Sequence, residues 1–82
     1  MRIDKFLDTT NIVKKRAVAQ DLIEHKLVSI NNAIVKSSRE VKVGDIIEIT
    51  FLEYSKKYKI LAIPTTKNIP KNTKSLFVEE IF

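Results

Sequence analysis

The chain has no cysteine, no tryptophan, one glycine (Gly44), one histidine (His25) and two prolines. Without cysteine there is neither a disulfide framework nor a zinc site built on thiolates. A lone histidine excludes a histidine-rich metal centre. A lone glycine excludes a glycine-rich loop cradling phosphate, and neither an HExxH helix nor a Ser/His/Asp arrangement is recognisable. The acidic residues are scattered, with no pair spaced for acid–base work. The sequence therefore implies no catalytic residue, no metal ligand, no cofactor and no small-molecule substrate, and it reads as a protein that is not an enzyme. Long apolar runs are missing too. No segment approaches the ~20 residues of a membrane span. Arg2, Asp4, Lys5 and Asp8 break up the start, where a secretory signal needs an uninterrupted apolar stretch. These absences predict a soluble cytoplasmic protein with no membrane partner.

What the chain does have is positive charge. Fifteen Lys and Arg against ten Asp and Glu give a net charge of +5 over 82 residues. The excess sits in the N-terminal half: residues 1–43 hold nine basic and five acidic residues, and residues 44–82 hold six and five. Such a balance favours polyanions. The length suits one compact domain.

Hydrophobic periodicity divides that domain. Ile3, Phe6 and Leu7 fall at i, i+3 and i+4, one face of a short helix. Thr9, Thr10 and Asn11 interrupt it and are good N-cap types for a second helix, expected from about Ile12 to His25. On that helix Ile12, Ala19, Leu22 and Ile23 form one apolar stripe. The period then switches to two. Leu27–Ile30 and Ala33–Val35 read as strands joined at Asn31-Asn32, a pair that tolerates positive φ and suits a tight hairpin. Residues 36–43 (KSSREVKV) read as a polar, basic loop, and Gly44-Asp45 as a turn. Ile46–Phe51 reads as a strong strand and Lys56–Ile63 as its partner, with Tyr58, Ile60 and Ala62 on one face. Pro64 is expected to end it. Residues 65–75 lack acidic residues and read as a mobile basic tail or a loosely packed crossing. Leu76–Phe82 is apolar again, and either a short helix or an extended segment docking on the sheet fits it. The organisation expected is a domain over 1–63 followed by a basic tail and apolar segment over 64–82.

Several pieces then line up in order: Arg2-Ile3-Asp4-x-x-Leu7, Arg16-x-x-Ala19-x-x-Leu22-Ile23, Val28-x-Ile30-Asn31, Val35-Lys36-x-Ser38, and Val41-x-x-Gly44-Asp45-x-Ile47. The set resembles the RNA-binding domain first recognised in ribosomal protein S-four, over roughly residues 1–51. The resemblance implies an α+β fold, with two short helices packed on a small, mostly antiparallel sheet and a C-terminal tail. It also implies an RNA-facing surface made by the helices and the loops beside them. At this length the chain is similar to the short stand-alone bacterial members of that family. Those work on stalled or recycled ribosomal complexes, on large-subunit RNA with tRNA nearby. The partners implied are thus ribosomal RNA, tRNA and the large ribosomal subunit. Three departures stand out. Lys15 occupies a position where many members have serine. Lys26 replaces the glycine that usually ends the second helix, so it must adopt a left-handed conformation or let the helix end another way. Asn32 replaces the turn glycine, the mildest change.

The candidate RNA-binding residues are Arg2, Lys14, Lys15, Arg16, Lys36, Ser38 and Arg39. Arg2 and Arg16 fall at the arginine positions of the motif, and a planar guanidinium can donate two parallel hydrogen bonds to phosphate. The plain alternative is that Arg2 pairs with Asp4 or Asp8 and that Arg16 is merely solvated. Lys14-Lys15-Arg16 is a basic run at a helix start, unfavourable for the macrodipole and so suggestive of a functional demand. Lys36, Ser38 and Arg39 lie in a loop where basic heads and a hydroxyl suit phosphate or ribose. Asp4 reads as structural, bracing Arg2 or capping the first helix. His25 reads as a surface residue at a helix end, and Phe6 and Phe51 as core. Tyr54 and Tyr58 remain open to base stacking. Two competing functions also fit: a ribosome-assembly or general RNA chaperone, or a protein-interaction module using the sheet with Tyr54 and Tyr58, its charge incidental.

Overall fold

Ile3, Phe6 and Leu7 are fully buried along one face of α1 (Ile3–Thr9), as their spacing requires. The computed structural model describes residues 1–65 and 71–81. The helix closes locally. The Thr10 hydroxyl and amide both donate to the Phe6 carbonyl (2.7 and 2.9 Å), and Asn11 turns the chain at φ 62°. Thr9, Thr10 and Asn11 therefore terminate the first helix and do not cap the second. The Val13 amide donates to the Leu7 carbonyl (3.1 Å) and its side chain is buried, so Ile12–Lys14 is a turn across the helix pair. The second helix, α2 (Arg16–Glu24), accordingly starts four residues later than expected, from an extended Lys15 without a side-chain cap.

The end of α2 depends on a strained residue. The Lys26 amide donates to the Ile23 carbonyl and the Leu27 amide to the Leu22 carbonyl, both at 3.0 Å, a Schellman arrangement. It needs a left-handed residue, and Lys26 takes φ 60°. A Cβ is disfavoured there and glycine is not. Lys26→Gly is therefore expected to stabilise the domain by about 1 kcal/mol. Thermal melts check this, and a lower melting temperature contradicts it.

Five strands follow: β1 (Val28–Ile30), β2 (Ala33–Ile34), β3 (Ile46–Thr50), β4 (Ser55–Ile60) and β5 (Val78–Ile81). They form one antiparallel sheet in the order β2-β1-β3-β4-β5. The β1–β2 turn is the expected pair Asn31-Asn32, with φ 51° and 70° as a twisted two-residue hairpin demands. Asn31 is doubly employed: its Nδ2 donates to Asp45 Oδ1 (3.2 Å) and its Oδ1 accepts the Ile46 amide (3.0 Å). Gly44, at φ 94°, makes the turn into β3. Strand β4 ends at Ile60, short of the expected Ile63. Beyond it the Leu61 and Ala62 amides converge on the Phe77 carbonyl (2.7 and 3.3 Å), which breaks the ladder before Pro64 is reached.

The C-terminal part ends in the main sheet. Within the stretch expected to be mobile, 66–70 lie outside the described residues, and Lys71–Leu76 form a 3-10 helix. The apolar end is extended: β5 pairs Val78 with Ile60 and Glu80 with Tyr58, making it an edge strand of the main sheet.

One face of the sheet, carrying Val28, Ile30, Ile47, Ile49, Tyr58, Ile60 and Val78, forms a single core with Ile3, Phe6, Leu7, Ala19 and Ile23 of the helices. Each Val, Ile, Leu or Phe among them contributes roughly 1.5–3 kcal/mol on full burial. Tyr58 belongs to this core, where burial and the neighbouring Glu80 push its phenol up to about 12. It is removed from any base-stacking role. Tyr54 is exposed and stacks on Phe51, ring centroids 4.9 Å apart. No helix among the described residues is long and apolar enough to cross a membrane.

Candidate nucleic-acid interface

The centre of the site is a buried carboxylate. Asp4 stands in the first turn of α1 with no exposed surface, and several hydrogen-bond donors converge on its carboxylate. Its Oδ1 accepts the Lys5 amide (2.8 Å), and its Oδ2 accepts Gln20 Nε2 (2.9 Å) and Arg16 Nε (3.2 Å). Arg2 Nη2 lies 3.3 Å from the same Oδ2. Arg2, from the residue before α1, and Arg16, from the first position of α2, thus meet on one oxygen. Their side chains stay roughly half exposed. Two guanidinium groups against one carboxylate leave one positive charge in excess. Neither Nη1 has a partner among the described residues. Fixed forks with spare donors suit phosphate oxygens.

Burial raises the Asp4 carboxyl pKa. The hydrogen bonds from Gln20, Arg16 and the Lys5 amide, with the Arg16 charge, outweigh it and hold the group below its ordinary value of 3.8. The consequence for stability has a definite sign. A carboxyl depressed in the folded state stabilises it above the unfolded value, and that contribution vanishes as pH falls through the folded one. Melting temperature is therefore expected to drop on acidification below about pH 4, more steeply than in Asp4→Asn. A pair of melting curves that stay parallel across that range contradicts the assignment. His25 shifts the other way: its Nδ1 meets the Asp21 carbonyl (2.8 Å) and the Asp21 carboxylate at the exposed end of α2, which raises its pKa. It has the surface role expected of it.

The loop of residues 36–43 wraps the start of the chain. The Ile3 amide donates to the Arg39 carbonyl (2.7 Å), the Val41 amide to the Met1 carbonyl (3.0 Å), and Arg2 Nε to the Ser37 carbonyl (3.4 Å). Arg2, Arg16 and the Lys36–Arg39 loop are thereby joined through Asp4 and Ser37. Lys36, Ser38 and Arg39 are exposed, with Arg39 Nε turned to the Glu40 carbonyl (3.3 Å). Lys14 and Lys15 are exposed beside Arg16, with no bond to the Asp4 cluster. They flank an α2 N-terminus with no side-chain cap and no acidic residue in its first turn. Gln20 was absent from the sequence-based candidates. Its signal is its spacing, one turn after Arg16 on the same face of α2.

A family model described as the S4 domain matches residues 1–47, the stretch containing every element of this cluster. An RQC P-site tRNA stabilizing factor of Helicobacter pylori (strain J99) is 42% identical over 78 residues, spanning 95% of this chain and 93% of that protein. The protein of the same name from Bacillus subtilis (strain 168) is 37% identical over 51 residues, 62% of this chain and 59% of its own length. Among solved structures, the solution structure of a hypothetical protein, HP1423, superposes with a TM-score of 0.86 at 39% identity, covering 100% of this chain and 98% of that one. The trimeric structure of heat shock protein 15 from Vibrio cholerae gives a TM-score of 0.88 at 23% identity over 99% and 81%, a likeness of fold. With more than half of its length matched by the family model and a strong relative along nearly all of it, the chain belongs to the S4 domain family.

Proposed function

We propose that this protein is an RNA-binding factor of the cytoplasm that docks on large-subunit ribosomal RNA in stalled complexes, next to the tRNA, and carries out no chemistry itself. The observation that carries the reading is the pair of guanidinium groups held on the buried Asp4. One arginine is enough to neutralise one carboxylate, so the second leaves a positive charge in excess at the site. Arg2 and Arg16 bind phosphate as fixed forks. Lys14 and Lys15 add charge at the uncapped start of α2, where the helix dipole also favours an anion. Lys36, Ser38 and Arg39 contact phosphate or ribose from the neighbouring loop. Residues 1–63 carry this surface, and the segment after residue 63 supplies the β5 edge of the sheet. Similarity to proteins named RQC P-site tRNA stabilizing factor supports the ribosomal target. The reading as a protein-interaction module is weakened, because Tyr58 is core.

The test is capture from lysate by the tagged protein. Large subunits carrying peptidyl-tRNA are expected to be enriched over vacant ones and to be released as salt rises from about 50 to 200 mM. Recovery of neither kind of subunit defeats the proposal, and equal recovery of both removes the stalled complex from it.

A further inference from the structure

The Lys36–Ser38 loop, part of the RNA-binding surface proposed above, also forms one wall of a groove whose remaining lining has no role in that surface. Its other side is the end of α2, and its volume is about 490 Å³. Ile23 and Ile34 supply apolar lining, and Ile34 is 58% exposed although it is a strand residue. Lys26, Lys36, Ser37 and Ser38 supply the polar lining, with Glu24 as one opposing acid. The Ser37 carbonyl holds Arg2 Nε, so the groove and the arginine site share this loop. We propose that the groove receives a single unpaired nucleotide of the bound RNA, its base against the exposed Ile34 and its phosphate on Lys26 and Lys36. This rests on the RNA-binding reading given above.

Three observations favour that occupant. The lining is amphiphilic in the manner of a nucleotide, apolar surface on one part and two cations with two hydroxyls on another. The position is continuous with the phosphate site, so one RNA strand can engage both. The third is Lys26. It bears left-handed strain that glycine would relieve, and its lysine side chain lies on the groove. A strained residue whose side chain makes no hydrogen bond or ion pair among the described residues points to a ligand.

The experiment compares two hairpin RNAs, one fully paired in its stem and one with a single looped-out nucleotide, against the full chain and two variants. The wild type is expected to prefer the looped-out RNA by at least about fivefold. Lys26→Gly and Ile34→Asn are each expected to abolish the preference while leaving affinity for the paired hairpin within about twofold. Lys26→Gly is expected to melt at a higher temperature, which separates its loss of preference from unfolding. Equal wild-type affinity for both RNAs overturns the groove proposal and leaves RNA docking standing. An equal loss on both RNAs in the variants also overturns it, because the groove is then only part of a diffuse charged surface. Binding of neither RNA at low salt overturns both readings.

Discussion

Arg2→Ala combined with Arg16→Ala is expected to weaken binding to the large subunit by at least about 100-fold. Each charge-assisted contact contributes roughly 1.5–3 kcal/mol, and every ~1.4 kcal/mol is tenfold. Because two phosphate contacts disappear, the log–log dependence of affinity on salt becomes shallower by about two units or slightly less. The two half-exposed side chains lie outside the core, yet the structure predicts more than a trivial effect on stability. Without them the buried Asp4 carboxylate keeps only Gln20 and the Lys5 amide as donors. That loss is about 1–3 kcal/mol, moderated because the missing partners were partly solvated. The single variants keep one guanidinium on Asp4 and should fold well; Arg16→Ala, which leaves the Arg2–Ser37 bond in place, reports binding alone, at about tenfold or more. Lys57→Ala with Lys59→Ala is the control. It removes equal charge from exposed positions of β4, on the face opposite Tyr58 and Ile60. If the control loses as much affinity as the arginine pair, binding is diffuse electrostatics and no site exists at Asp4.

What could be read beforehand follows the range of the interactions involved. The α1 face, the Asn31-Asn32 turn, the Gly44 turn and the conflict at Lys26 are local, decided within a few residues, and each is where its chemistry indicated. The start of α2 was misplaced because Thr10 and Asn11 are equally good at ending one helix and at beginning another. The choice is made by the Val13 amide reaching back to Leu7, a contact of the linker with α1 that the helical period does not encode. The last strand was ambiguous for the same reason. Its extended form is fixed by a ladder to Tyr58 and Ile60, some twenty residues away. Of the site, Arg2, Asp4 and Arg16 were visible as motif positions, and Asp4 also as a brace for Arg2 or a cap of the first helix. That Asp4 also grips Arg16 depends on how the two helices dock, which is tertiary information.

The sharpest test of that grip is Asp4→Asn, because two explanations of the site predict opposite signs. If charge alone attracts RNA, removing an acid from a basic cluster tightens binding to every polyanion. If Asp4 works by positioning the arginines, affinity for the correct RNA falls even though net charge rises. The geometry favours the second. Oδ2 takes Arg2, Arg16 and Gln20 at 2.9–3.3 Å, and Oδ1 takes the Lys5 amide. All are donors. An asparagine places its own NH2 against at least one of them, since it has a single acceptor oxygen. The arginine heads then lose their common anchor, and each must be ordered by the RNA at its own entropic expense. Affinity for large subunits is expected to drop about tenfold, equivalent to ~1.4 kcal/mol. Affinity for heparin, which needs charge and no fixed geometry, is expected to rise. Stability should fall by about 1–3 kcal/mol, because the buried position 4 loses acceptors for its part-buried donors. Gln20→Ala removes one donor and leaves the carboxylate with its arginines. It should lower stability by about 1 kcal/mol with less than a threefold change in subunit affinity. Tighter binding of Asp4→Asn to both heparin and large subunits would show that Asp4 merely dilutes the charge, and the positioning role would have to be abandoned.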